Sequence, residues 1–273
     1  MNRIVTAIWT RMYADFFRPD RLQEYREFLD LAAANHYTFH SVISFYRDMQ
    51  APQPQKSRKR LVLRHDVDTD VKTAKAIWEI EQKAGARSSF YFRLSTVDAS
   101  LMQAIERSGS EASYHYEELA TVVKRRGLRG EDVMRCLPCI QAEFRQNLLA
   151  LRARTGLPMQ TVASHGDFMN RRLGMSNTML VPPGPMRGEL GILVEAYDDA
   201  AMSTVTLRCC DGVRWRPCDP TDGLRRGEHT IYVLTHPKHW RTNRIENLLV
   251  GGLRLCEEIT FATRRLMPNR SCQ

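Results

Sequence analysis

The chain has 273 residues, of which 43% are hydrophobic, 8% aromatic and 26% charged; it can bury a full core as one large domain or two small ones. Lys and Arg outnumber Asp and Glu by 40 to 31, a formal charge of +9, and no apolar run approaches the roughly 18 residues of a membrane-spanning helix. Basic clusters at Lys56–Arg60, Lys124–Arg129, Arg171–Arg172 and Arg225–Arg226 are dispersed and lack interleaved aromatics. They read as a solvated basic surface rather than a nucleic-acid module, and they leave open peripheral contact with an anionic membrane surface.

In chain order, Met1 to Phe17 is a weak apolar pattern broken by Arg3, Arg11 and Asp15, without the apolar core and cleavage site of a signal peptide. Arg21–Asn35 has apolar residues at helical spacing, and Tyr37–Met49 reads as a short strand followed by a helix. Ala51–Arg60 is a polar connector rich in Pro and Lys. Leu61–Leu63 is then a strand, Val71–Ala84 a helix stopped by Gly85, and Ser88–Phe92 a strand. Ala99–Ser108 is a helix, Glu111–Tyr114 a strand ending at His115, and Glu117–Arg126 a helix. Glu131–Thr155 is helical by period, with a break expected at Pro138. Thr161–Ala163 is a strand ending at Ser164-His165-Gly166, Thr230–Leu234 a strand ending at Thr235-His236-Pro237, and Arg244–Leu266 a closing helix. Such alternation predicts an α/β fold with parallel strands.

The seven cysteines include a C-x-x-C at Cys136 and Cys139 and an adjacent pair at Cys209 and Cys210. No two separated pairs form zinc knuckles. Free thiols in a reducing compartment follow, which points to the cytoplasm.

Chemistry concentrates at the strand ends. The run Leu61-Val62-Leu63-Arg64-His65-Asp66-Val67-Asp68 passes from apolar residues to a histidine and two carboxylates, which are costly to bury without a metal, a counter-charge or water. Asp66 and Asp68 are two apart and would point to one side of a strand. Together they could hold a divalent cation, or one could bind it while the other takes a proton; alternatively they cap the helix that starts near Val71. Of 8 histidines, His65, His115, His165 and His236 each close a strand and would face one rim; His36, His40, His229 and His239 read as surface or packing residues.

Six pieces carry a resemblance: Arg64-His65-Asp66-Val67-Asp68, Ser88–Phe92, Glu111–Glu117, Ser164-His165-Gly166, Glu195-Ala196-Tyr197 and Thr235-His236-Pro237-Lys238-His239-Trp240. In this order they resemble the polysaccharide deacetylase superfamily (the NodB-homology domain, carbohydrate esterase family four), in its branch with an Arg-His-Asp-Val-Asp first motif. The resemblance implies a distorted (β/α)7 barrel with a helical N-terminal extension, divided at residues 1–55 and 56–273. It further implies a hydrolase that removes N- or O-acetyl groups from a sugar or glycoconjugate precursor, as in surface-polysaccharide synthesis, with a divalent metal: zinc first, then nickel, cobalt or manganese. Carried over, Asp66 matches the general base, Asp68 the metal carboxylate, His115 the first metal histidine and His236 the general acid. Where the family has a second metal histidine four residues after the first, this chain has Leu119, and His165 is the candidate replacement. The substrate-binding candidates are His65, Arg64 (which could also pair with Asp66), Tyr116 through nearby backbone N–H groups, Trp240 as a stacking platform or as packing, and Asp211 as a shifted polar residue. Three other readings stay open: a degenerate member that binds glycan without cutting it, a nucleic-acid- or phosphate-binding protein that exploits the charge of +9, and an amidohydrolase acting on a non-sugar amide.

Overall fold

The computed structural model describes residues 16–51, 58–212 and 214–249, together with Tyr13, Gly252 and Thr260. The chain before Tyr13, part of the connector and most of the expected closing helix lie outside the described residues. Helix α1 (Leu22–Ala34) leads into strand β1 (Thr38–His40) and helix α2 (Val42–Met49). Then β2 (Arg60–Val67), α3 (Val71–Ala84), β3 (Ser89–Phe92), α4 (Ala99–Arg107), β4 (Glu111–Tyr116), α5 (Glu118–Arg126), α6 (Glu131–Thr155) and β5 (Thr161–Ser164) alternate. Short helices α7 (Phe168–Leu173) and α8 (Pro185–Leu190) precede β6 (Val194–Glu195). After α9 (Asp199–Met202), β7 (Leu207–Cys210) and α10 (Pro220–Arg226), β8 (Thr230–Thr235) completes the sheet.

All strand pairs are parallel, in the order β6-β5-β4-β3-β2-β8-β7, with β1 added on β2. The seven ordered strands curl into a half-barrel. The Tyr91 hydroxyl on β3 meets the Thr161 hydroxyl on β5 at 2.7 Å, across β4, which shows the concavity. Because every strand runs the same way, all their C-terminal ends share one rim. Both faces are buried, so the strands are apolar without a clean alternation. Leu61, Leu63, Phe90, Tyr114, Ile231 and Val233 face the helices, whereas Val62, Tyr91, Ala163, Tyr232 and Leu234 face inward with Phe45 of α2. At the end of the barrel away from the rim, α2 presents its Ile43 N–H to the Glu111 carboxylate at 3.3 Å, and Ser89 and Thr161 donate their hydroxyls to the same carboxylate. Burial lifts the Glu111 carboxyl to about 7.

Local choices explain the connections. Asp70, in a left-handed conformation (φ 53°), accepts from the Thr73 N–H at 3.0 Å and caps α3, while Gly85 (φ 66°) supplies the turn that ends it. The expected break at Pro138 does not occur: α6 runs unbroken through it. Proline removes one helical N–H and crowds the preceding turn; here it is the eighth residue of the helix, and the residue four before it, Met134, is exposed. Among the described residues, no helix is long and apolar enough to cross a membrane.

Candidate metal and proton-transfer site at the strand ends

Six strands deliver polar side chains to the rim. β2 runs on past Leu63 to Val67 and carries Arg64 and Asp66 on its inner face, with Asp68 just beyond. β4 supplies His115, β5 leads into His165, β7 leads into Asp211 and β8 into His236. Glu117 and Arg93 follow β4 and β3.

Asp68, His115 and His165 form one cluster, with one potential ligand atom from each all within 4.8 Å of one another. Asp68 Oδ1 lies 3.3 Å from His115 Nε2 and 3.4 Å from His165 Nε2, and this buried oxygen has no hydrogen-bond partner. An orphaned buried carboxylate oxygen is costly unless something cationic satisfies it. His115 Nδ1 lies 3.0 Å from the carbonyl of Ala163, an acceptor only. That contact fixes the proton on Nδ1 and leaves Nε2 with its lone pair turned to the cluster. Burial pushes the His165 imidazole down to about 4, so it is neutral at neutral pH, the form that binds a metal. Two imidazoles and a carboxylate are a donor set that suits zinc and leaves positions free for water and substrate. These residues fit a divalent cation. A second trio, Cys210, Asp211 and His236, is similarly close but fits less well, because both Asp211 oxygens already accept hydrogen bonds.

Two charge pairs flank the cluster. Arg64 grips Asp66 with two parallel bonds, Nε to Oδ1 at 2.7 Å and an Nη to Oδ2 at 2.8 Å. Burial alone would raise the Asp66 carboxyl, but Arg64 and His115 outweigh it and hold the group below the usual carboxylate range. Asp66 Oδ2 is 3.5 Å from His115 Nε2, so this ionised carboxylate borders the donor cluster. Asp211 accepts from His236 Nδ1 at 2.7 Å and from the His236 backbone N–H at 2.8 Å. Burial would lower the His236 imidazole, but the Asp211 charge lifts it to about 9. The protein therefore holds Asp66 as an anion and His236 as a cation.

The structure brings together Asp66, Asp68, His115, His165 and His236 and places the side chains of the five substrate-binding candidates behind them. His65 is 0% exposed; its nitrogens meet Thr235 Oγ1 at 2.6 Å and Glu81 Oε1 at 2.8 Å, and its ring stacks on Phe90. It lies one position from Asp66, so strand alternation turns it to the opposite face. The expectation that all four strand-end histidines share a rim is corrected to three. Arg64 is sealed against Asp66 beneath the ring of Tyr197. The side chain of Tyr116 points away, edge-on to Phe144, and its carbonyl accepts from the His165 N–H at 2.8 Å. Trp240 is 2% exposed, packs on Tyr25 and Trp215, and donates its indole N–H to Asp211 Oδ2 at 3.0 Å, so it is packing and not a stacking platform. Asp211, 3% exposed, holds His236 and cannot present itself to a substrate. Leu119 is buried in the outer core, on the helix after β4.

Several residues escaped the sequence reading. His239 also donates to Asp211, at 3.1 Å, and is no mere surface histidine. Lys238 lies 3.8 Å from Asp68, and Arg93 with Glu117 backs His165. A cavity of about 950 Å³ opens beside His165, lined in part by Asn177, Thr178, Gln50 and Tyr197. Tyr197 is 44% exposed, an unusual state for an aromatic ring stacked on a buried guanidinium. Only the Glu195-Ala196-Tyr197 piece signalled this wall in the sequence.

No protein-family model matches the chain, and no curated protein matches it. Among solved structures, it is similar to one described as Streptococcus pyogenes deacetylase PplD in complex with acetate, at 11% identity, a TM-score of 0.43, and coverage of 88% of this chain and 90% of that one.

Proposed function

We propose that the protein is a metal-dependent hydrolase of the polysaccharide deacetylase type, which removes an acetyl group from an N-acetylated or O-acetylated sugar or glycoconjugate precursor. The observation that carries this reading is the partnerless Asp68 Oδ1, set between two imidazole nitrogens at 3.3 and 3.4 Å and bordered by a held anion and a held cation. Asp68, His115 and His165 would hold the cation. When bound there, a zinc-like ion supplies Lewis acidity, polarising the acetyl carbonyl and making water acidic near neutral pH.

The chain's own groups do the rest. Asp66, kept ionised by Arg64, accepts the proton of the attacking water. His236, kept protonated by Asp211, donates its proton to the departing amine or alkoxide. The C–N or C–O bond breaks, acetic acid and the deacetylated product leave, and proton exchange with solvent returns Asp66 to the anion and His236 to the cation, so that over the cycle one proton of the water is matched by one on the leaving group. The cavity beside His165 suits a neutral, hydroxyl-rich substrate. Its polar walls carry the amides of Gln50, Asn170 and Asn177 and the hydroxyls of Ser176 and Thr178, its Arg187 is spent on Asp198 with an Nη–Oδ2 distance of 2.5 Å, and its carboxylates Glu195 and Asp199 disfavour an anionic substrate.

The test is acetate release from a panel of N-acetylated sugars, O-acetylated sugars and acetylated non-sugar amides, with metal analysis of the same preparation. Release from a sugar that stops with chelator and returns with zinc is expected. Protein that takes up none of zinc, nickel, cobalt or manganese on reconstitution would favour a non-hydrolytic glycan binder, and turnover confined to non-sugar amides would replace the substrate class.

A further inference from the structure

His165 Nδ1 is buried and makes no hydrogen bond. The polar atom that faces it is Glu117 Oε2, 3.6 Å away. Glu117 is not loose. Arg93 donates Nε and one Nη to Oε1 at 3.0 and 2.9 Å, and the same Nη to Oε2 at 2.7 Å. The other Nη of Arg93 reaches the backbone carbonyl of Asp68 at 3.3 Å. One guanidinium thus ties the carboxylate behind His165 to the chain segment that carries Asp68. The side chains of the pair are 23% and 13% exposed, unlike the solvated ion pairs of the outer helices, which count for little in stability.

We infer that Glu117, clamped by Arg93, is the positioning residue for His165: its carboxylate accepts the Nδ1 proton and leaves Nε2 bare and aimed at Asp68 and His115. The contact needs to close by only a few tenths of an ångström to become a hydrogen bond. The two histidines are then set by different means. A neutral carbonyl, that of Ala163, fixes His115, whereas a full negative charge fixes His165 and makes its free nitrogen the stronger donor. The consequence for metal affinity rests on the function proposed above; the placement of the proton does not.

The tautomer is read directly from long-range proton–nitrogen spectra of metal-free, histidine-labelled protein at neutral pH. His165 is expected as the Nδ1–H form. Glu117→Gln is the informative variant, because Arg93 claims the single amide oxygen and an N–H is turned at the ring. It is expected to shift His165 towards the Nε2–H form and to weaken zinc binding by about 10–100-fold, with the melting temperature of the metal-free protein tracking folding. Arg93→Lys, which keeps the charge and loses the fork, is expected to do the same to a smaller degree, and it carries the test if Glu117→Gln does not fold. A wild-type His165 in the Nε2–H form overturns the inference. So does a variant with wild-type tautomer and wild-type zinc affinity. A wild-type protein that shows Nδ1–H, responds to Glu117→Gln and yet binds no zinc would sink the metal reading while supporting this one.

Discussion

Two histidine–carboxylate pairs sit on opposite faces of the same sheet, and their difference is instructive. His65 and Glu81 are sealed under the helices; Thr235 takes the second nitrogen of His65, while Tyr25 and Ser88 hydroxyls donate to Glu81 at 2.6 Å. Every polar atom of that pair is spoken for. His236 and Asp211 are arranged in mirror fashion. Asp211 is saturated by four donors, but the His236 ring is bonded to it through Nδ1 alone and keeps 19% of its side chain exposed. Pair chemistry does not distinguish a structural histidine from a proton donor; a spare nitrogen facing an opening does.

The comparison can be broken at three points. The largest effect is expected from Asp211→Asn. Without that charge the imidazolium is no longer favoured, so at about pH 8.5, between the two limbs, turnover should fall by about 10²-fold, the low end of what a positioned acid contributes. The pH profile gives the sign. The acid form of His236 is present below about 9 and lost above it, so the alkaline limb should lie near 9 in the wild type and move towards the ordinary histidine value of about 6.5 in the variant. A limb that stays in place would remove His236 from the proton path. Next comes Glu81→Gln, which offers one acceptor oxygen where three donors need two. It should cost about 3 kcal/mol in denaturant unfolding, in line with breaking a buried pair, while turnover per folded molecule stays unchanged. Lost turnover in folded protein would mean that the sealed pair reaches the site. The smallest effect is expected from Trp240→Phe, which removes one buried hydrogen bond worth about 1 kcal/mol and should leave KM unaltered. A raised KM would restore Trp240 as a sugar contact.

The sequence made the rim legible because its signals are local. A buried strand that ends in a charged residue is conspicuous, and Asp66, Asp68, His115, His165 and His236 all announce themselves that way. It could not tell the inner face from the outer, and His65 was misplaced for that reason: on a strand buried on both sides, neighbouring residues look alike. β6 and β7 were not anticipated, being two and four residues long at the ends of the sheet order. The continuation of β2 beyond Leu63 was hidden as well, since Arg64 and Asp66 look like loop residues until each is seen to neutralise the other. Pairings between separate loops, such as Arg93 with Glu117, leave no periodic trace.

One side of β2 is divided between two neighbours: β1 lies along Arg60–Val62 and β3 along Arg64–Val67. A chain begun after α2 would therefore bare three residues' worth of main-chain donors and acceptors on a central strand and lose the helix that caps the barrel at Glu111. Bared strand edges recruit other chains. Residues 38–49 thus guard this protein against sticking to itself, a duty separate from any chemistry at the opposite end.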